Sequence, residues 1–235
     1  MQDFGQAFLT AFSLLFSFDA DLMEVIGLSL RVSLTALLVA GLIGLSIGAL
    51  LAVTRFPGRG VALVVVNSMM GLPPVVVGLI IYMLLSNAGP LGFMGLLYTP
   101  TAMIIAQAVL ILPIIAALSR QVIEDLHTEY ADQFRSFCVP TGRMMAELLW
   151  DARYSLLTVM LAGLGRAMAE VGAVIIVGGN INHLTRVMTT TIALETSKGD
   201  LALALGLGVV LLTIALTINA AVMGLNATAK RQAYA

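Results

Sequence analysis

Arg166 and Glu170 stand four residues apart in a run of apolar side chains, a spacing that puts a cation and a carboxylate on one face of a helix. Near the centre of a bilayer each alone costs about 2.5–3.5 kcal/mol on insertion scales, so the two should pair and face protein or water. Pro73-Pro74 is the next such feature, because adjacent prolines remove backbone donors and free carbonyls in an apolar segment. Freed carbonyls are tolerated in lipid only against protein or a watery cavity, which leaves a kinked, pore-lining helix or a packing kink. Gly178-Gly179-Asn180 could turn main-chain amides toward an anion, or simply terminate a helix. Finally, Phe134, Phe137, Met144, Met145, Leu148 and Leu149 punctuate the polar segment Ser119 to Arg153 at near-helical spacing. That pattern suits short amphipathic helices presenting a shaped knob to a partner, or a loop packed on the membrane surface.

The elements that must position these residues follow from composition. Hydrophobic residues make up 60% of the chain, charged residues 11%, and mean hydropathy is +1.02. A soluble domain is about half apolar and a quarter charged, so lipid is the expected solvent here. A crossing needs about 20 mostly apolar residues. By that measure five spans are expected, over about 32–53, 61–85, 101–118, 154–177 and 201–225, joined by a cytoplasmic loop over 119–153. The turn residues Ser86-Asn87-Ala88-Gly89-Pro90 divide the long charge-free run between the second and third. Ala40, Gly44, Gly48 and Ala52 form a small-residue stripe that permits close helix approach.

Under this arrangement Arg55, Arg59, Arg120, Arg135, Arg143, Arg153, Lys230 and Arg231 fall on one side, with Arg186 and Lys198 on the other. Basic flanks mark the cytoplasmic side, which predicts an outer N-terminus and a cytoplasmic C-terminus. Phe4, Phe8, Phe12 and Leu15 lie on one helical face, with Gln6, Thr10, Ser13 and Ser17 on another. An amphipathic helix in the outer interface is the expected result, a sixth hydrophobic segment being the alternative. No Lys or Arg precedes Arg31, so the basic start of a signal peptide is missing. Leu184 to Gly199 is polar enough to lie outside or to dip partway in.

Several chemistries are not expected. There is no Gly-x-x-x-x-Gly-Lys-Ser/Thr loop, so the chain should not power itself with ATP. His127 and His183 are placed on opposite sides and cannot meet on a metal or in a catalytic centre. Cys138 is the single cysteine, which excludes an internal disulfide. An enzyme is therefore not the expected reading.

Asp132-Gln133-Phe134-Arg135-Ser136-Phe137-Cys138, followed by Asp151-Ala152-Arg153 before the next span, resembles the cytoplasmic loop of type I ABC importer permeases. That loop ordinarily reads Glu-Ala-Ala, three residues, Gly. Here Asp132 stands for the Glu, Gln133 and Phe134 for the alanines, and Cys138 for the Gly, with Pro140 and Gly142 near enough to supply a bend. Gly71-Leu72-Pro73-Pro74-Val75-Val76-Val77-Gly78, Gly165 to Ala173, Val177 to Ile181, Thr185 to Thr190 and Glu195 to Asp200 look like the tungstate-type branch of the molybdate, tungstate and sulfate permeases.

The resemblance implies an all-α permease that pairs with a second copy of itself. It also implies two cytoplasmic ATPase subunits, which bind the ATP and Mg, and an external oxyanion-binding protein. The chain itself would hold no cofactor and no nucleic acid. Asp132, Gln133, Phe134, Ser136, Phe137 and Cys138 would form the helix that docks on the ATPase. Transport would proceed by alternating access, with tungstate the expected cargo and molybdate or sulfate the alternatives. Arg166 and Glu170 would be a structural ion pair, the reading we favour, or a charge pair at the dimer axis that reorganises as the pore alternates. The rivals from other classes are an ion-coupled secondary transporter, which should show inverted repeats and several intramembrane ionisable groups, and a membrane-anchored assembly factor.

Overall fold

In a computed structural model of the chain, residues 20–233 are described, with side chains through residue 224. The amphipathic N-terminal segment expected over Phe4 to Ser17 lies outside the described residues. In hydrocarbon a backbone must satisfy its own N–H and C=O groups, and the apolar runs accordingly form helices. These are α1 (Ala20–Val53), α2 (Arg59–Met69), α3 (Pro74–Leu85), α4 (Pro100–Glu129), α5 (Ala131–Ser136), α6 (Thr141–Asp151), α7 (Arg153–Met168), α8 (Gly172–Gly178), α9 (Met188–Lys198) and α10 (Leu201–Ala233). A short 3₁₀ turn covers Gly92–Met94, and no strand occurs among the described residues. The class is all-α and polytopic, as expected.

Three helices, α1, α4 and α10, are long and apolar enough to cross a membrane unbroken, and the count rises to five if each of two bent pairs is one crossing. The expected spans 61–85 and 154–177 are those pairs: α2–α3 bends by 102° and α7–α8 by 59°. Pro73 and Pro74 therefore do not kink a continuous helix. Pro73 is the N-cap of α3 and Pro74 its first residue, where a missing N–H costs nothing. The helix of the third expected span runs on past Leu118 to Glu129, which carries Arg120 and Glu124 on the same rod. Leu184 to Gly199, expected as a polar outer or dipping stretch, contains α9 with Met188, Thr189 and Thr190 buried.

The chain divides into two compact units. Among the described residues, the first contains residues 20–36, 73–107 and 165–221. Its core includes Met103, Val174, Val177 and Met188, with Thr185 and Thr190 buried among them. Here α3 packs on α8 so closely that a Cβ at Gly78 would come within 2.8 Å of the Ala173 Cα. The second unit contains residues 37–72 and 108–164 and continues from residue 222. Ile111, Ile115, Ile123 and Leu148 are buried there. The stripe Ala40, Gly44, Gly48 and Ala52 does serve packing, since a Cβ at Gly48 would lie 2.7 Å from the Ala116 carbonyl of α4.

Candidate functional site

Two places concentrate the polar chemistry, one in each unit. In the second unit, α4 hands over to α5 through Tyr130, and α5 lasts only from Ala131 to Ser136. Its end is a defined stop: Cys138 N–H donates to Arg135 O at 3.1 Å and Val139 N–H to Phe134 O at 3.1 Å. This crossed pair needs a left-handed residue between its donors, and Cys138 takes that role at φ 48°. The bend is thus made at Cys138 itself, not at Pro140 or Gly142 as expected.

The stop sorts the two phenylalanines. Phe134 turns inward, half-buried with Tyr130, Met144, Met145 and Leu149 on a cluster of Ala49, Ala52, Val53, Ile123 and Leu148. Its ring meets that of Tyr130 edge-on with centroids 6.2 Å apart. Phe137 is 80% exposed. Asp132, Gln133, Ser136 and Cys138 share that exposure. Five of the six residues expected to dock are thus presented outward, and Phe134 is the internal anchor that holds them.

Beneath this knob, Glu124 accepts hydrogen bonds from Arg59 Nη2 at 2.8 Å and from Arg120 Nη1 at 2.5 Å. Arg59 Nε also donates to Leu51 O at 2.8 Å. One carboxylate therefore ties the start of α2 to α4, while Arg59 itself grips the end of α1.

In the first unit the break between α7 and α8 is a network. Glu170, expected to share a helix with Arg166, lies just past the end of α7. The pair still forms, Arg166 Nη1 donating to Glu170 Oε2 at 2.8 Å. Oε1 accepts from Ala173 N–H at 3.0 Å, capping α8. Two carbonyls at the break also take side-chain donors: Gln107 Nε2 donates to Ala167 O at 3.0 Å, which accepts from Glu170 N–H as well, and Thr189 Oγ1 donates to Glu170 O at 2.8 Å. A broken helix in lipid needs such donors, and here α4 and α9 supply them.

The Gly178-Gly179-Asn180 turn acts as a terminator. Gly179 sits at φ 70° and Asn180 at φ 50°. Gly179 N–H is taken by Ile175 O at 2.9 Å and Ile181 N–H by Thr185 Oγ1 at 3.0 Å, while Thr185 donates to Gly178 O at 2.5 Å. Those two amides are occupied, so they do not form an open anion cradle. Nearby, exposed His183 bonds through Nδ1 to Glu24 Oε2 at 2.8 Å, and that hydrogen bond raises the imidazole pKa above its ordinary value. Asp21, Glu24 and His183 bring their donor atoms within 4.8 Å of one another, all exposed.

Sequence reasoning missed Gln107, Thr189, Thr185 and the Arg59–Glu124–Arg120 clamp. Arg120 and Glu124 carry a readable signal in their spacing of four, whereas Arg59 comes from another helix.

The profile of the family described as "Binding-protein-dependent transport system inner membrane component" matches residues 44–231. The chain is 38% identical over 226 residues to a tungstate uptake system permease protein of Peptoclostridium acidaminophilum, covering 96% of this chain and 99% of that one. It is 41% identical to a tungstate uptake system permease protein of Campylobacter jejuni over 66% of this chain and 65% of that one. A probable anion ABC transporter permease protein of Haloferax volcanii is 36% identical, covering 85% of this chain and 88% of the other.

Proposed function

We propose, from the premise that the chain belongs to the family of binding-protein-dependent transport system inner membrane components, that it is the permease subunit of an ATP-driven tungstate importer. The observation that carries the coupling part of this reading is the α5 knob, with Phe137 80% exposed and Phe134 fastened to a buried cluster. An aromatic tip on a short, firmly based helix is suited to a cleft on a motor protein, because the anchor passes force to α4 and α6. Full-length likeness to a tungstate uptake permease protein supports the cargo. Two copies of this chain would work with two ATPase subunits that bind and hydrolyse ATP, and with an external protein that delivers the oxyanion. The ATPases would close on ATP, move α5 and open the path outward. Arginine at positions 55, 59, 120, 135, 143 and 153 supports a cytoplasmic face for the knob, an outer N-terminus and a cytoplasmic C-terminus.

The test is uptake of tungstate, molybdate and sulfate by vesicles carrying the whole complex, supplied with ATP and the binding protein. ATP-dependent tungstate uptake in preference to the other two is expected. A preference for molybdate or sulfate would replace the cargo, and no ATP-dependent oxyanion uptake would remove the importer reading. The exposed Cys138 reports orientation, because an impermeant thiol reagent should reach it in inverted vesicles of the permease stripped of its ATPase and not in intact cells.

A further inference from the structure

Trp150 is the single tryptophan of the chain, and it is 69% exposed. It stands outside the packed side of α6, where Leu148 is buried and Met144, Met145 and Leu149 rest on the cluster under α5. Trp150 instead shares an exposed face with Arg143 and Glu147, at spacings of three and four. A large ring with a polar N–H, left outside a core, suits a boundary that is apolar on one side and wet on the other.

Three residues on, Arg153 opens α7. Its guanidinium carbon lies 4.9 Å from the centre of the Trp150 ring and 4.5 Å from that of Tyr154, so both rings take the cation on their faces. Nη1 donates to Trp150 O at 2.7 Å. Arg59, Arg120, Arg135 and Arg166 each pair with a carboxylate, whereas Arg153 makes no ion pair among the described residues. Stacking occupies the faces of a guanidinium and leaves its in-plane N–H donors for an acceptor.

Where the stack sits decides what meets it. Arg153 is the first residue of the α7–α8 pair, whose helices together are apolar enough for one crossing. The rings and the guanidinium therefore lie where hydrocarbon gives way to headgroups, the depth at which Trp and Tyr gather and phospholipid phosphates run. Net charge does not select the ligand, because Arg143 and Arg153 are offset by Glu147 and Asp151. Geometry does: a phosphodiester in the guanidinium plane takes charge-assisted N–H bonds while its acyl chain lies against the indole. Phosphatidylcholine brings its own ammonium to that phosphate and phosphatidylglycerol does not, so the uncompensated phosphate is the better partner.

We propose that Trp150, Arg153 and Tyr154 form a headgroup site for an anionic phospholipid at the end of the α7–α8 crossing. The site makes no use of the α5 knob and is independent of the importer reading, so it holds whatever the cargo. A lipid held there fixes the corner between α6 and α7 at the membrane surface.

The lone tryptophan reports on its own lipid. The full-length permease is placed in bilayers of phosphatidylglycerol and phosphatidylcholine, one of which carries bromine on the upper part of its acyl chains, where it quenches a nearby indole. Half-maximal quenching of Trp150 should come at a severalfold lower fraction of brominated phosphatidylglycerol than of brominated phosphatidylcholine. Equal quenching by the two overturns the proposal, and so does quenching by neither, which would turn the ring toward water or a second copy. This comparison uses the unaltered chain and needs no variant to fold. R153Q should bring the two lipids level while quenching persists, and Arg153→Lys, which keeps the charge without the planar stack, should keep only part of the preference. A preference undiminished in R153Q overturns the role of Arg153 and the site with it.

Discussion

Glu170 and Glu124 each hold a unit together, at different depths of burial. Glu170 is 3% exposed and satisfied by one arginine and one backbone N–H, with Gln107 and Thr189 donating to the Ala167 and Glu170 carbonyls beside it. Glu124 is 35% exposed and shared by Arg59 and Arg120, themselves 25% and 22% exposed. The buried Glu170 carboxylate must be neutralised by its neighbours, whereas Glu124 joins sequence-distant segments where water moderates every charge. Burial of the carboxylate, more than the kind of ion pair, sets what each is worth.

That contrast is open to direct attack. The largest effect is expected for Glu170→Ala, which orphans Arg166 and uncaps α8, and should cost about 3–5 kcal/mol. Thermal unfolding in detergent would measure it, and a cost no greater than that of Glu124→Ala would break the comparison. Within the second unit, Phe134→Ala should lose about 2 kcal/mol by hollowing the cluster under α5, since its ring is only half-buried. Phe137→Ala should leave unfolding unchanged and instead release the ATPase on co-purification. If both phenylalanines behaved alike, the split between anchor and tip would be wrong.

Glu124→Ala should cost about 1 kcal/mol, the partly exposed pairs being screened by solvent, and that cost should shrink with added salt. Cys138→Gly should stabilise by roughly 1 kcal/mol, because glycine takes the left-handed stop without a Cβ penalty. The smallest effect concerns His183. Its pKa is raised by Glu24, so the contribution of that pair is complete below the ordinary histidine value and fades as pH rises through the raised one. Glu24→Gln should flatten the dependence of melting temperature on pH across that window, and an unchanged profile would detach His183 from any role in stability.

Much of this was legible in the residues alone. Charge-free length was enough to find α1, α4 and α10, and the amphipathic spacing after Arg120 announced α5 and α6. What escaped was tertiary. Phe134 lies in a helix of six residues and Phe137 just past its end, a stretch too short for periodicity to say which faces in, and the stop at Cys138 decides it. The break after Met168 has no proline to mark it, and the side chains that bond the carbonyls beside it, Gln107 and Thr189, come from positions 60 and 19 residues away. Pro73-Pro74 was visible as a disturbance, but a bend of 102° depends on what α3 packs against.

The bare aromatic at Phe137 also bears on how the protein must be made. A subunit synthesised ahead of its motor carries an oily tip into aqueous surroundings, the kind of feature by which chaperones and proteases recognise unfinished work. Balanced production of the two polypeptides would then matter as much as the fit between them, and surplus permease should be short-lived in cells that lack the ATPase.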